Sequence, residues 1–290
     1  MNCRNGELYL VEALARVRAQ TFPDWEIVFW DNASTDNSPM LAQAFGPKLR
    51  YFRSEIGTSL GEARNEALQR ARGTYVALLD CDDLWEPTAL QKMIERIEAT
   101  PECVLVWSDA YRISATGEVR NRFSDTTRFR RGRCFRQLFA EQFIAPSSTV
   151  LMRREAVVAA GGFPSQYTIC ADLDLFLRLA RVHAVDYCPE VLGRWRMHAN
   201  NDSHRTDALI GELEAILDAW KDCPELSGRA TQRFQLLLAV KRWQCARSKR
   251  GGEPTRALFE IARTLGHAPS LVLDLVAAAV RRLRTAMVTT

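Results

Sequence analysis

The sequence of 290 residues contains no Cys-x-x-Cys pair, no Gly-x-Gly-x-x-Gly turn, no internal repeat and no low-complexity tract. It has little lysine, which stands only at positions 48, 92, 221, 241 and 249. Each shortage excludes something. The 8 cysteines are scattered, and several sit inside apolar runs, as Cys103 does before Val104-Leu105-Val106. That pattern argues for buried, reduced thiols in a reducing compartment rather than a zinc site. Without a glycine-rich turn after a strand, a dinucleotide-dependent dehydrogenase is disfavoured. The longest apolar run near the C-terminus, Leu271–Val280, contains Asp274 and is too short to span a bilayer. The opening residues, MNCRNGELYL, lack the basic and apolar segments of a signal peptide. The net charge of +4 rests almost entirely on arginine. So mild an excess suits an anionic ligand or a membrane surface and is weak support for nucleic-acid binding.

What is present is an alternation of helix and strand patterns. Leu8, Leu10, Val11, Leu14 and Val17 recur at helical spacing, and Trp25–Trp30 reads as a strand ending at Asp31. A short helix is predicted from Ser38, with Pro39 in its first turn. Leu49–Phe52 follows as a strand, Ser59–Arg72 as a helix, Thr74–Leu79 as a strand, Thr88–Ala99 as a helix and Val104–Ser108 as a strand. This order predicts a mostly parallel sheet flanked by helices, with ligands at the carboxyl ends of strands. Asp31 and Asp80 both stand at such ends. Residues 117–132 read as a polar, arginine-rich loop. Ser147–Met152 reads as a strand, Arg153–Ala160 as a helix closed by Gly161-Gly162, and Asp172–Arg181 as a helix. From about Asp207 the chain turns helical, with segments at Leu209–Trp220, Ala230–Arg247, Pro254–Leu265 and Ser270–Met287. The chain therefore divides into residues 1–205, an α/β domain, and 206–290, a helical region.

The stretch LLDCDDLWEP, Leu78–Pro87, sets three carboxylates at the end of an apolar strand. Like charges in a partly dry site are costly unless paired or metal-bound, so something cationic belongs there. Asp80 and Asp82 can present two oxygens to one Mg²⁺ or Mn²⁺ ion, or they can cap the following helix and close a turn.

Five segments occur in order: YLVEALARVRAQTFPDWEIVFWDNASTDNS, GTSLGEARNEALQRARGTYVALLDCDDLWEP, SSTVLMRREAVVAAGGF, CADLDLFLRLAR and LGRWRMHANNDS. Together, from about Asn2 to Ser203, they resemble the family 2 glycosyltransferases, inverting enzymes of the GT-A fold. That resemblance implies a Rossmann-like mixed α/β sheet with a C-terminal helical extension. It implies a UDP- or GDP-sugar donor and a saccharide or lipid-linked acceptor in cell-surface polysaccharide or glycolipid synthesis. It further implies a cytoplasmic location, peripheral to the membrane if the last helix rests on it, and no nucleic acid.

Residue by residue, it places the nucleobase and ribose at Asp31 and Asn32, with Asn2 beside them. Arg64, of Ala63-Arg64-Asn65, goes to the ribose or diphosphate. Asp82 becomes the principal metal ligand, Asp80 a ribose or water-bridged ligand, and Asp83 an orienting residue. Asp172 becomes the general base, although Ala171 stands where the family has a first acid. Asp174, by contrast, suits a partner for Arg178. Arg196 is assigned to the diphosphate and His198 to the metal or diphosphate, with a structural histidine as the alternative. Two other classes compete, a nucleotide-binding pseudoenzyme, suggested by Ala171, and a sugar nucleotidyltransferase, for which residues 2–6 offer little of the required basic glycine-rich loop. In the family an apolar first strand precedes the segment Asn2–Asn5, so the resemblance predicts that strand to be truncated here and Met1 to be an internal methionine.

Overall fold

The computed structural model describes residues 1–201, 205–226 and 228–248, with Ile261, Ala262 and Leu265. Strand β1 (Asn2–Cys3) leads into helix α1 (Glu7–Arg18). Leu10, Ala13, Leu14 and Val17 of α1 follow the i, i+3, i+4, i+7 rule and are buried. Each large one contributes about 1.5–3 kcal/mol by leaving water. Strand β2 (Ile27–Asp31) is buried along its whole length, as a strand covered on both faces must be. Helix α2 (Ser38–Gln43) and strand β3 (Leu49–Arg53) follow. Helix α3 (Leu60–Arg70) starts where the Ser59 hydroxyl accepts the Glu62 N–H at 3.1 Å. Strands β4 (Tyr75–Ala77) and β5 (Leu84–Trp85) flank the acidic turn, and helix α4 (Ala89–Glu98) buries Leu90, Met93, Ile94 and Ile97.

Strand β6 (Cys103–Ser114) is far longer than the apolar run Val104–Ser108 predicts. It continues because Ser108 and Asp109 are buried with their polar atoms satisfied: Asp109 accepts from the Ala110 and Ser124 N–H groups and the Ser124 hydroxyl. The predicted loop 117–132 contains strand β7 (Val119–Arg122), which folds back on β6. Helix α5 (Phe135–Glu141) comes next. The predicted strand at Ser147 begins with a 3₁₀ turn, Ser147–Thr149, before strand β8 (Val150–Arg153) and helix α6 (Arg154–Ala159). Helix α7 (Ala171–Val182) runs into strand β9 (Ala184–Met197), and helices α8 (Thr206–Trp220) and α9 (Gly228–Ser248) complete the described elements.

Strands β1, β2 and β3 form one parallel sheet, with Cys3 opposite Asp31 and Asp31 opposite Arg53. The second sheet runs β4-β8-β6-β9-β5, with β7 on β6. There only β6 and β9 are parallel; β4–β8, β6–β8, β5–β9 and β6–β7 are antiparallel. The sheet is thus mixed rather than mostly parallel. Between β2 and β4 lies a cavity of about 650 Å³ lined by Ile27, Val28, Tyr75, Val76 and Leu79, among others.

The chain forms two compact units. The first holds Met1–Ser124, Phe129–Cys134 and Ile144–His198, and carries both sheets. The second holds Asp125–Arg128, Phe135–Phe143 and the described residues from Ala199 onward, so its elements are not one stretch of sequence as a division at 205 supposes. Within it Phe139 packs on Phe234, Phe135 packs on Trp220, and Arg242 pairs with Glu214 at 2.6 Å. Among the described residues no helix is long and apolar enough to cross a membrane. The helix predicted over Ser270–Met287, its membrane contact, and most of Pro254–Leu265 lie outside the described residues.

Candidate active site

Two acidic turns sit at strand carboxyl ends in the first unit. β1 lies between them: Asn2 pairs with Trp30 on β2 and bridges to Asp80 beyond β4.

The first turn, Asp31–Ser34, is closed by the protein itself. Asp31 is 0 % exposed. Its Oδ1 accepts the Ser34 N–H at 2.8 Å, and its Oδ2 accepts the Tyr51 hydroxyl at 2.6 Å and Arg53 Nη1 at 2.9 Å. Asn32 is tied to Thr58, donating to its carbonyl at 2.9 Å and accepting its N–H at 2.9 Å. The resemblance places the base and ribose at both residues. In this structure their side chains brace the turn, because parallel register brings Tyr51 and Arg53 of β3 beside β2. Ala33 is held in the left-handed region at φ 59°, a strained conformation that these bonds stabilise.

The second turn, Asp80–Asp83, is closed along its backbone by the Asp83 N–H on the Asp80 carbonyl at 3.2 Å, but its carboxylates differ in their surroundings. Asp83 is buried, accepting from the Ser148 hydroxyl and from the Arg196 N–H at 2.9 Å. Burial first, then the charges of Asp82 and Asp80, push its carboxyl well above the ordinary range. Asp82 meets His198, with Nε2 2.8 Å from Oδ2. Burial and the neighbouring Asp80 charge raise the Asp82 carboxyl in the same sense. Asp80 keeps 39 % of its side chain exposed and accepts Arg64 Nη2 at 3.2 Å. Cys81, between them, turns towards the Cys3 sulfur; that hydrogen bond and burial hold its thiol well above its usual range.

Arg64 joins this turn to α7. It is 3 % exposed, donates to Asp80 and to the Ser147 hydroxyl at 3.3 Å, and sets Nη1 3.6 Å from Asp172 Oδ2. Nη1 is buried and has no hydrogen-bond partner, as is true of the Asn2 side-chain nitrogen. Asp172 lies in the first turn of α7, whose N-cap is Cys170, and its other oxygen accepts the Leu173 N–H. Asp174 pairs with Arg178 at 2.9 Å, away from this group.

At 2 % exposure the Arg196 guanidinium donates to the Asp82 and Ala115 carbonyls at 3.0 and 3.1 Å and to Glu12 at 2.6 Å. These acceptors make it a brace for the acidic turn. Sequence reasoning also missed Ser148. Its hydroxyl accepts the Asp80 N–H at 3.1 Å and donates to Asp83, while its carbonyl accepts the Trp85 indole N–H at 2.5 Å. A serine within Ser147-Ser148-Thr149, ahead of an apolar strand, gives no signal of this.

Asp80 and Asp82 offer hard oxygens and His198 a nitrogen, donor types that Mn²⁺ accepts. Among the described residues no group of three or more His, Cys, Asp or Glu side chains is placed to hold a metal ion, so an ion at this turn would need ligand oxygens to complete its shell.

The mixed sheet, its flanking helices and the acidic turn at a strand end are those of the GT-A nucleotide-diphospho-sugar transferase fold. The chain belongs to glycosyl transferase family 2, whose model matches residues 1–159. It is 36 % identical over 114 residues to an uncharacterized protein of Sinorhizobium fredii, covering 37 % of this chain and 12 % of that protein's length. It is 26 % identical over 218 residues to an uncharacterized glycosyltransferase of Rickettsia typhi, covering 74 % of this chain and 67 % of the relative. A Bacillus subtilis protein provisionally named a teichuronic acid biosynthesis glycosyltransferase is 34 % identical over 94 residues, covering 31 % of this chain and 37 % of the relative. Among solved structures, the mannosyltransferase of Pyrobaculum calidifontis in complex with GDP-Man and Mn²⁺ superposes with a TM-score of 0.63 at 19 % identity, covering 99 % of this chain and 81 % of that one. Residues 1–349 of S. aureus TarS, in complex with UDP-GlcNAc, give 0.60 at 16 % identity, covering 91 % and 70 %.

Proposed function

We propose that this chain transfers a sugar from a UDP- or GDP-sugar to an acceptor hydroxyl, with inversion and with Mn²⁺ or Mg²⁺. One observation carries it: a buried arginine, Arg64, lies between Asp80 of the acidic turn and Asp172, with one nitrogen lacking a hydrogen-bond partner. Donor class and metal are supported by the related folds that hold GDP-Man with Mn²⁺ and UDP-GlcNAc.

Asp82, Asp80 and His198 would hold the divalent ion, which would supply positive charge to the departing diphosphate. Arg64 offers Nη1 to a phosphate or ribose oxygen, a fit that a guanidinium fork favours. Asn2 offers its buried amide nitrogen to the nucleoside. Asp172 takes the acceptor hydroxyl's proton as that oxygen attacks the anomeric carbon. The bond from that carbon to the diphosphate oxygen breaks in the same displacement, so the configuration inverts. Ser148, Asp83 and Arg196 keep the turn in shape throughout. Synthesis of a cell-surface polysaccharide or glycolipid at the cytoplasmic face is the setting favoured, supported by the name of the Bacillus relative.

A thermal-shift screen of UDP- and GDP-sugars with Mn²⁺, followed by a transfer assay on the donor that binds, tests the proposal. Donor-specific stabilisation together with transfer or donor hydrolysis supports it. Nucleotide binding with neither reaction would leave a nucleotide-binding pseudoenzyme in its place.

A further inference from the structure

Helix α1 begins in contact with the acidic turn. A Cβ at Gly6 would fall 2.6 Å from the Cys81 sulfur and 2.8 Å from the Cys3 sulfur, so no larger residue lets the helix start this close. Three residues on, the Tyr9 ring meets two side chains of β9 and the segment after it. The His198 ring centroid lies 5.0 Å from that of Tyr9, inclined at 33°. Arg196 Cζ lies 4.6 Å from the same Tyr9 centroid. Glu12, one turn further along α1, accepts Arg196 Nη2 at 2.6 Å.

Both neighbours of Tyr9 end on one residue. Arg196 Nε donates to the Asp82 carbonyl at 3.0 Å, and His198 Nε2 lies 2.8 Å from Asp82 Oδ2. A single aromatic ring therefore backs the main chain and the side chain of the same carboxylate at once. The orientation of an imidazole and a carboxylate beside a metal is set by such outer partners, and a tyrosine face attracts a guanidinium held over it.

We infer that Tyr9 and Glu12 are positioning residues, which hold His198 and Asp82 in the geometry that binds a divalent ion. The inference rests on the metal reading proposed above. Neither residue carries a charge or donor that the transfer chemistry requires, and both act through Arg196 and His198.

The test is Mn²⁺ affinity in the whole chain, read by electron paramagnetic resonance with UDP and, separately, GDP present, so that no turnover is involved. Tyr9→Leu should weaken Mn²⁺ binding about tenfold, the lower end for loss of an outer partner. Tyr9→Phe, which keeps the ring, should restore it to within about twofold. The thermal midpoint of the metal-free protein should hardly differ between the two variants. If Tyr9→Leu does not fold, Glu12→Gln at its half-exposed site should weaken binding roughly threefold. The proton resonance of the His198 ring, identified by its loss in His198→Gln, should shift in metal-free Tyr9→Leu. Wild-type Mn²⁺ affinity in Tyr9→Leu, in Glu12→Gln when that variant stands in, or a His198 resonance that does not move overturns the inference alone. Failure of the wild-type chain to bind Mn²⁺ with either nucleotide overturns the metal reading, and this inference with it.

Discussion

The turns after β2 and β4 look alike in sequence: each sets an aspartate after an apolar strand and follows it with small or polar residues. In the folded chain they are opposites. Asp31 has three protein donors and no exposed surface. Asp80 keeps 39 % of its side chain exposed, and burial first, then the neighbouring aspartate charges, push the Asp82 and Asp83 carboxyls upward. A carboxylate that the fold satisfies is architecture. A partly exposed carboxylate cluster, next to a buried arginine nitrogen with no hydrogen-bond partner, is where we propose a ligand binds.

The largest test of that contrast is Asp82→Asn. It keeps the shape of the side chain and removes the charge, and transfer should fall about 10³-fold, in line with several kcal/mol of metal stabilisation. Steady-state assays with saturating Mn²⁺ measure it; near-wild-type turnover would place the metal elsewhere. Asp172→Asn should cost turnover about 10²-fold or more while donor affinity stays as it was. Binding and rate must be measured separately there, since a loss of donor affinity alone would make Asp172 a binding residue. On the other side of the contrast, Asp31→Asn should lower stability by about 1.5–3 kcal/mol, the scale of hydrogen bonds to charged groups, with the response to Mn²⁺ unchanged. Urea unfolding gives that number.

The smallest effect is in pH. Asp83 has a folded pKa above its unfolded one, so the folded chain binds more protons in the window that opens at about 3.9 and closes at the raised value. Stability should therefore fall as pH rises through that window and return on acidification. Asp83→Asn should remove this part of the slope, which urea midpoints of metal-free protein on both sides of the window would show; parallel slopes for the two proteins would rule it out.

Much of this fold is legible in the sequence. α1, α3, α4 and α7 show their apolar stripes, and β2 and β3 are short runs between turn residues. β9 and the far half of β6 are not legible, because buried polar residues interrupt them. Asp186 is buried in β9 with Arg96 of α4 reaching it at 2.7 Å, a partner 90 positions away. Pro189 and Glu190 add a bulge where the register slips between Ser108 and Asp109. The site divides the same way. Asp80, Asp82, Arg64 and Asp172 announce themselves by residue type, strand-end position and resemblance, and the fold gathers them. The bracing role of Arg196 depends on carbonyls and on Glu12, none of which one-dimensional spacing reveals. Ser148 and Tyr9 carry no charge to draw notice.

On the proposed mechanism the second turn, and not the first, awaits a cation. Calorimetric titration of UDP and GDP into the wild-type chain, Asp82→Asn and Asp31→Asn, each with Mn²⁺ and with chelator, addresses it directly. Mn²⁺ should strengthen nucleotide binding at least about tenfold in the wild type and in Asp31→Asn, and should do nothing in Asp82→Asn. Binding that ignores Mn²⁺ in the wild type, or a metal effect that survives Asp82→Asn and vanishes in Asp31→Asn, would contradict the account.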